Sequence, residues 1–494
     1  MSITNLNTDI IARANNDGYT YDKGARTAFN EQEAESIVSY IEGAGTYGLI
    51  PANFRQFSAT GGSSSTEGRL WKLSTGTSVG GYGAVQSFRS LPHRGGKGIQ
   101  GRFSGYFTGS AASSEQGLGF LSIGEEMSFG YNGANFGIWH RYGGLSEVRT
   151  ITITVAAGGG ETLTLTLNSV EYSIPITGGT VQHNAYEIAE WLNDNQSIWG
   201  ADQLNDAVIL SALSDGAKSG TYSYSASGSG TGSIAQTTAG VTKTSDFVAQ
   251  ADWNGVELDF TLDPSRGNLY QINYQNMGWG DIIYSVMNPR TRRFEVVHTL
   301  RYPNSTVILG TPNPSMRCGA YTFSTGSTTN LEVYVSSVQA GVGGQSNKTR
   351  NPRSANNTVS LATTNETSVI TLRNRRTYNG YNNQVEIQPL KVSVASEVNK
   401  NVILDIRAST NFGEELDYRV AGTNLVGDIS TTAANITTGL LLDSITIEPN
   451  GRATIDLQRL QISMPPSLAI TVEAKRTGGS AGDVSVTITW YEDL

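Results

Sequence analysis

Hydrophobic and polar residues alternate along most of the chain with the period of two that is typical of β-strands. Residues 150–155 read TITITV, and residues 162–167 read TLTLTL. This alternation predicts strands with one buried and one solvent-facing side. Other strand-like runs, such as RLWKL, DIIYSVM and DVSVTITWYEDL, are separated by clusters of Gly, Ser, Asn and Pro. We therefore predict a mainly β fold made of multiple antiparallel β-sandwich domains.

Two segments show helical periodicity instead. From Asn30 the chain reads NEQEAESIVSYIEGAG, which places Ile37, Val38 and Ile41 on one face behind an Asn that can cap the helix. This predicts a short N-terminal helix that anchors the chain to a neighbour or covers the open end of a sandwich. A second amphipathic run, AYEIAEWLNDN, starts at His183-Asn184 and predicts a helix within a small α+β insert.

Changes in composition divide the chain into segments. At about 150 residues per domain, 494 residues suggest about three domains. We predict an N-terminal helical attachment segment at 1–50, a β-sandwich body formed by 51–148 plus 246–345, an inserted β/α module at 149–245, a linker or extended segment at 346–384 and a C-terminal β-sandwich at 385–494.

The sharpest local turn signal is Asn132-Gly133, which lies between the strand-like runs EEMSFGY and ANFGIWHRY. A two-residue type I′ hairpin needs positive φ at both central residues, and Asn and Gly tolerate it best. We predict a hairpin with these two residues at its centre.

Composition narrows the possible functions. Acidic side chains number 43 and basic ones 34, which gives a net charge of −9 and argues against a nucleic-acid binder. One Cys among 494 residues excludes a disulfide framework within the chain and a multi-Cys metal site. The first residues, MSITNLNTDII, lack the pattern of a signal peptide, and no window approaches 18 apolar residues. We expect neither a nucleic-acid nor a membrane partner.

The candidates for catalysis are weak. The glycine-rich run at 95–101 lacks the GK[ST] ending of a phosphate-binding loop, and His140 lies in a strand where cross-strand packing is the simpler role. Acidic pairs that could serve a glycan depolymerase or hold calcium are not embedded in a recognisable site; they are Glu125 with Glu126, Asp252 with Asp259, Glu414 with Glu415, and Asp443 with Glu448. We expect no enzymatic activity, no cofactor and no metal site.

Two groups of side chains suggest binding. Five aromatic residues could stack on sugar rings, although their strand spacing favours core positions for most of them; they are Trp253, Tyr270, Tyr274, Trp279 and Tyr284. The densest basic region of this net acidic chain is either a solvated linker or a docking surface for an acidic neighbouring subunit; it consists of Lys348, Arg350, Arg353, Arg373, Arg375 and Arg376.

Three runs carry a resemblance to known proteins. They are FGYNGANFGIWHRYGG at 129–144, WNGVELD at 253–259, and LDPSRGNLYQINYQNMGWGDIIYSVMNPRTRRFEVVHTLRY at 262–302. This pattern resembles a β-rich module of structural proteins of tailed phages and large DNA viruses. The segment between the first two runs looks like a small β/α insert of phage tail components. The resemblance covers roughly residues 130–300 and implies a virion protein, without indicating which part of the particle contains it.

Together these features predict a non-enzymatic virion structural protein made in the host cytoplasm. We expect it in a viral tail or a fibre or baseplate-type appendage, where it would act by oligomeric assembly, with a homotrimer favoured and other virion proteins as partners. Multiple copies would also suit attachment to a host-surface glycan. One alternative is a capsid-exterior fibre or decoration protein. Another is a glycan-binding receptor protein or depolymerase.

Overall fold

A computed structural model describes residues 37–50, 53–92, 95–275, 277–343, 352–412, 416–422, 425–434, 436–460 and 462–492. Within these ranges the chain forms antiparallel β-sheets and one α-helix, which confirms the predicted mainly β class. Three large hydrophobic cores are separate from one another, one each in the body, the inserted module and the C-terminal domain. No helix among the described residues has the length and hydropathy needed to cross a membrane.

The first half of the body contains nine strands. They are β1 (Ile37–Ala44), β2 (Phe54–Ala59), β3 (Ser63–Glu67), β4 (Leu70–Ser74), β5 (Tyr82–Ser87), β6 (Gly98–Phe107), β7 (Ser114–Ser122), β8 (Glu125–Asn132) and β9 (Asn135–Tyr142), with a 3-10 turn at Gly45–Tyr47. The inserted module follows, with β10 (Ser146–Val155), β11 (Thr162–Leu167), β12 (Val170–Pro175), α1 (Val181–Asn195), β13 (Trp199–Leu204), β14 (Ala207–Asp215), β15 (Ser223–Ala226) and β16 (Thr231–Thr238).

The chain then returns to the body. Its second half has β17 (Thr244–Ala249), a 3-10 turn at Gln250–Asp252, β18 (Asn268–Gln275), β19 (Ile282–Met287), β20 (Phe294–Leu300), β21 (Arg317–Ser324) and β22 (Glu332–Gly343). The two halves form two sheets of one sandwich, ordered β20-β19-β18-β6-β22-β4-β3 and β17-β9-β8-β7-β21-β5-β2, with β1 paired to β22. The strands before and after the insert therefore share one core.

The C-terminal domain contains the remaining strands. They are β23 (Arg353–Ser360), β24 (Thr367–Asn374), β25 (Thr377–Tyr378), β26 (Tyr381–Asn382), β27 (Ile387–Ser396), β28 (Val402–Phe412), β29 (Tyr418–Val420), β30 (Gly427–Ser430), β31 (Ile436–Ile447), β32 (Arg452–Asp456), β33 (Ala469–Arg476) and β34 (Asp483–Glu492), with a 3-10 turn at Gln458–Leu460. They form sheets ordered β23-β34-β27-β32 and β29-β30-β24-β33-β28-β31, plus the hairpin β25-β26.

Two segments differ from the predicted domain pattern. The stretch predicted as a linker at 346–384 contains β23 and β24, and both are strands of the C-terminal sandwich. The inserted module starts at Ser146, whereas the predicted end at residue 245 falls inside β17 of the body. Polar residues on the solvent-facing sides of β23 explain why its sequence resembles a linker.

The predicted N-terminal helix is wrong where the structure can be described. Residues Ile37–Ala44 form strand β1, which pairs with β22 from Ile37 opposite Gly343 onwards. Gly341 permits this close approach, because a Cβ there would lie 2.2 Å from the Val38 carbonyl oxygen. The β-branched residues that make the apolar stripe of a helix also suit a strand, and the open edge of β22 supplies their hydrogen bonds. The earlier part of the predicted helix lies outside the described residues.

The predicted hairpin exists, but its turn is shifted by one residue. Asn132 pairs with Asn135, so the two-residue loop is Gly133-Ala134. Gly133 has φ of +58°, whereas Asn132 and Ala134 do not have positive φ. Glycine at the first central position is the pattern of a type II′ turn, which needs positive φ at that position alone. The I′ prediction is wrong because the strand pairing includes Asn132.

Candidate functional site

A short arginine-rich segment joins the C-terminal domain to the inserted module. It leaves β24 after Asn374, whose side-chain amide donates to the carbonyl oxygens of Val385 and Met464, both at 2.8 Å. These bonds fix the point where the chain turns away from the sheet. The hairpin β25-β26 then folds back through Asn379 and Gly380, which have φ of +50° and +80°. Two consecutive positive φ values are those required by a I′ turn.

Arg373 and Arg375 both bind Asp428 on β30. Arg373 Nη2 donates to Asp428 Oδ2 at 2.9 Å and to the carbonyl oxygen of Gln203 in the inserted module at 2.6 Å. Its guanidinium also lies 3.8 Å above the ring of Tyr418. Arg375 Nε lies 3.2 Å from Asp428 Oδ1. Asp428 is fully buried, so these cations replace the water that its charge would otherwise require.

Arg376 crosses to the inserted module and binds Asp202 at the edge strand β13. Its backbone N–H donates to Asp202 Oδ2 at 2.9 Å, and its Nε donates to Oδ1 at 3.1 Å. Gly200 makes room for this contact, since a Cβ there would lie 2.9 Å from Arg376 Nη1. Asp202 is thus held by one residue through both the main chain and the side chain, a charge-assisted and orienting contact.

Main-chain bonds extend the same junction. The N–H of Asn205 donates to the carbonyl oxygen of Tyr418 at 2.9 Å, and the N–H of Tyr418 donates to Gln203 Oε1 at 3.0 Å. Asn382 Nδ2, on the hairpin, donates to Ser146 Oγ at 2.8 Å. The inserted module and the C-terminal domain are therefore joined by several hydrogen bonds and by the Arg376–Asp202 ion pair.

Burial and charge oppose each other at Asp428. Burial raises the pKa of its carboxyl to about 6, although Arg373 and Arg375 both act to lower it. The same burial acts against the charge of Arg373, but Asp202 and Asp428 raise the pKa of that guanidinium overall. The carboxylate and its arginines therefore depend on one another for their charged forms at neutral pH.

A cavity of about 340 Å³ lies at this junction. One wall is a row of directly paired residues across the insert's sheet, with Asp202 opposite Ile209 and Ile209 opposite Thr150. The facing wall is formed by the C-terminal domain; it includes Arg375, Thr377, Asn379, Gly380 and Asp428. The hairpin tip contacts the insert so closely that a Cβ on Gly380 would lie 2.4 Å from Thr238 Oγ1.

The C-terminal domain also contacts the body. The carboxylate of Glu386 accepts from the N–H of Ser90 at 3.0 Å and from the hydroxyl of Tyr40 at 3.0 Å. Burial raises the pKa of Glu386, while these hydrogen bonds favour the ionised form. Glu386 thus links β1 and the loop after β5 to the third domain.

The structure divides the predicted docking cluster. Arg373, Arg375 and Arg376 bind acids of their own chain, whereas Arg353 lies exposed on β23. The remaining two members, Lys348 and Arg350, lie outside the described residues. Docking of a neighbouring subunit stays a prediction. The acids at this junction, Asp202 and Asp428, were missed from the sequence, and the only signal for the hairpin is the Asn379-Gly380 pair.

Most of the predicted aromatic residues are in the core. Tyr270, Tyr274 and Tyr284 are fully buried and Trp253 is partly buried, in agreement with their strand spacing. Trp279 differs, since 45% of its surface is exposed. It therefore stays a candidate for stacking on a sugar ring.

Several of the other candidate polar residues form hydrogen bonds or ion pairs within the chain. His140 is buried between Gly310 and Tyr302, with Nε2 2.8 Å from the Gly310 carbonyl oxygen and Nδ1 2.9 Å from the Tyr302 hydroxyl. Burial lowers its pKa to about 4, which fits a packing role. Glu126 accepts from Arg141 Nη1 at 2.8 Å.

Of the other acids named from the sequence, Asp259 accepts from Asn288 at 2.7 Å and Asp443 binds Arg459, whereas Asp252 and Glu448 are exposed. Glu414 and Glu415 lie outside the described residues.

One acidic cluster in the described ranges has the spacing of a metal site. Glu366, Asp405 and Glu473 bring three carboxylate oxygens within 4.8 Å of one another. Arg407 already occupies this cluster, because it pairs with both Asp405 and Glu473. Its guanidinium supplies the positive charge that a cation would bring.

Comparisons with known proteins give only distant similarities. No family model matches the chain, and no curated protein matches it. Among solved structures, cellulose induced protein Cip1 is 7% identical, with a TM-score of 0.28 over 61% of this chain and 96% of that one. Peanut lectin is 10% identical, with a TM-score of 0.25 over 62% and 97%. A legume lectin-like domain from Entamoeba histolytica is 8% identical, with a TM-score of 0.24 over 62% and 96%. These scores are too low to assign a function.

Proposed function

We propose that the chain is a non-enzymatic structural protein of a virus particle, a component of a tail or of a fibre or baseplate-type appendage. The observation that carries the proposal is the junction beside Asp428, where the Arg376–Asp202 ion pair and the hydrogen bond from Arg373 to the Gln203 carbonyl oxygen join separately folded β-domains. An appendage subunit must hold its domains in a fixed arrangement while repeated copies assemble around it. The sequence resemblance over residues 130–300 supports the same role.

The chemistry of the junction suits this purpose. Ion pairs and main-chain hydrogen bonds fix orientation, because each has a narrow range of distances and angles. The insert is also connected to the body by two chain crossings, at Ser146 and Thr244, so its position is constrained from both sides.

Labelling of purified particles tests the location. Gold-labelled antibodies against the chain should mark the tail or its appendages in electron micrographs. Label confined to the capsid shell would favour the alternative of a capsid-exterior fibre or decoration protein. Purified particles that lack the chain would contradict both.

The assembly state is tested separately. We expect a homotrimer, with other virion proteins as its neighbours. Light scattering of the purified full chain over a hundredfold range of concentration should approach three times the chain mass of 52.7 kDa. A monomer at every concentration would contradict assembly through self-association.

Glycan binding is the second candidate, and the cavity at the junction favours it. Hydroxyl and amide groups line this cavity beside carboxylates that arginines already bind. Carboxylates in such pairs are poorly placed to act as the acid and base of a depolymerase, so we propose binding without cleavage. Incubation with host-surface glycans should release no reducing sugar, and measurable release would contradict a non-enzymatic role.

A further inference from the structure

We propose that the cavity between the inserted module and the C-terminal domain binds one unit of a neutral sugar. This inference deepens the attachment role within the proposed function and gives it a site. The volume of about 340 Å³ is at the lower end of the range of ligand sites, roughly 300–1,000 Å³. Such a cavity accommodates a single ring better than a long chain.

The polar lining matches a polyhydroxylated ligand. Thr150, Thr237 and Thr238 on the insert contribute hydroxyl groups, and Asn379 contributes an amide from the hairpin tip. The Oγ1 atoms of Thr150 and Thr237 lie 3.5 Å apart, and the Thr237 hydroxyl also donates to the Val148 carbonyl oxygen at 3.1 Å. Each hydroxyl both donates and accepts, as sugar hydroxyls do, so either partner can adapt to the other.

The apolar lining matches the rest of a sugar ring. Leu204 and Ile209 face the cavity from β13 and β14, beside the polar residues. A sugar ring has C–H faces as well as hydroxyl edges, and two aliphatic side chains can cover one such face. The mixture of a small apolar area with a few fixed polar groups is typical of small-molecule sites.

The charges in the wall favour a neutral ligand. Asp202 is neutralised by Arg376, and Asp428 by Arg373 and Arg375. Each of these charged groups already has an oppositely charged partner, so an ionic ligand would have to compete with an existing ion pair, whereas a neutral ligand would not. Asp428 Oδ1 is buried and, beyond its ionic contact with Arg375, accepts no hydrogen bond within the described residues. A neutral hydroxyl donor would satisfy it.

The site needs both domains. Thr238 and Asn379 lie on opposite walls, and the Gly380 contact with Thr238 brings the two walls together. A ligand that bridges these walls binds only the joined state, so it must stabilise the junction by mass action.

Binding to the full chain is tested with a panel of neutral monosaccharides and oligosaccharides (hexoses and N-acetylhexosamines) and matched sialylated or sulfated forms. Saturation-transfer NMR detects binding, and calorimetry measures affinity. At least one neutral sugar should bind, and its charged counterpart should bind at least tenfold more weakly. Thr238→Val removes the hydroxyl with little change of shape, and Asn379→Gly removes the amide while tolerating the positive φ. Each should weaken binding by tenfold or more.

Two controls make the test decisive. Thr162→Val makes the same change at an exposed position of β11 that does not line the cavity, and Trp279→Ala removes the rival stacking residue; both should leave the affinity for the sugar unchanged. Thermal midpoints of all variants show whether they remain folded. No binding by any neutral sugar, binding unaffected by Thr238→Val and Asn379→Gly, or loss of binding only in Trp279→Ala would overturn the inference.

The two proposals fail separately. A chain found in the appendage that binds no sugar refutes the ligand site and leaves the structural role intact. A chain that binds sugar at this cavity and is absent from particles refutes the structural role alone.

Discussion

Two buried acids, Glu125 in the body and Asp428 at the junction, are stabilised in different ways. Glu125 accepts a hydrogen bond from the N–H of Gly143 at 3.0 Å, while its Oε2 has no hydrogen-bond partner among the described residues. Burial raises the pKa of Glu125 to about 8. Asp428 is as deeply buried but has two arginines, and its pKa is about 6. At neutral pH Glu125 is therefore mostly protonated, whereas Asp428 is mostly ionised beside its arginines.

The surroundings of the two acids explain the difference. The body has a core of packed aromatic rings, such as Phe103 against Phe120 and Phe129 against Tyr270. Burial of that aromatic core stabilises the body, in addition to the buried Arg141–Glu126 ion pair. The junction is instead held by arginines, carboxylates and main-chain groups. Its geometry is thus more specific and more sensitive to the loss of one partner.

The largest effect is expected for Arg373→Met. The substitution leaves Asp428 buried with one cation fewer, and breaking a buried pair costs about 3–5 kcal/mol. Urea unfolding and limited proteolysis between the insert and the C-terminal domain measure the loss. The matched control, Arg353→Met on exposed β23, should change stability by less than about 0.5 kcal/mol. Equal effects of the two substitutions would show that Arg373, with its ion pair to Asp428 and its hydrogen bond to Gln203, does not support the junction.

A pH dependence is expected for the body. Because the folded pKa of Glu125 exceeds its usual 4.5, its contribution to stability is complete below about pH 4.5 and is lost as the pH rises through 8. Between pH 6 and 8 this amounts to about 2 kcal/mol, at about 1.4 kcal/mol per unit of pH. Glu125→Gln should remove that part of the decline in unfolding experiments. The exposed control Glu171→Gln should show the same dependence of unfolding free energy on pH as the wild type. If Glu125→Gln also showed the wild-type dependence, the decline could not be assigned to Glu125.

A smaller loss of stability is expected from alanine substitutions at two glycines, which distinguish the cost of backbone strain from the cost of a steric clash at the junction. Gly380 and Gly160 have nearly the same φ, +80° and +83°, but only a Cβ at Gly380 meets a neighbour. Alanine at either position costs about 1–2 kcal/mol of strain. Gly380→Ala should cost about 1 kcal/mol more and should also increase proteolysis at the junction. Equal decreases of the thermal midpoint in Gly380→Ala and Gly160→Ala would mean that the hairpin tip does not support the junction.

The smallest effect concerns the body hairpin. Gly133→Ala should lower stability by about 1 kcal/mol because Gly133 has positive φ. Asn132→Ala should change it by less than about 0.5 kcal/mol, since Asn132 is an exposed strand residue. A lower thermal midpoint for Asn132→Ala than for Gly133→Ala would instead support a turn centred on Asn132-Gly133.

The sequence predicts where strands occur better than it predicts which strands pair with one another. TITITV and TLTLTL became β10 and β11, and the second predicted helix became α1, which Thr180 caps through the N–H of His183. Local alternation is sufficient for such elements. For β1 it was insufficient, because the edge of β22 that selects a strand lies about 300 residues away in the chain.

Turns and ion pairs show the same limit. The dipeptide Asn-Gly occurs in both hairpins, yet only Asn379-Gly380 has two positive φ values, because pairing register decides which residues form the loop. The arginine cluster was visible in the sequence. Its acids were not, since Asp202 is 174 residues from Arg376 and Asp428 is 55 residues from Arg373.

The rigidity of the junction can be measured directly with spin labels at Glu171→Cys in the insert and Asp483→Cys in the C-terminal domain. Both positions are exposed, and the native Cys318 is buried with a raised pKa, so it should not react. Pulsed electron paramagnetic resonance of the full chain should give one narrow distance distribution, which Arg373→Met should broaden. A broad distribution in the otherwise unaltered chain would contradict a fixed arrangement of these domains.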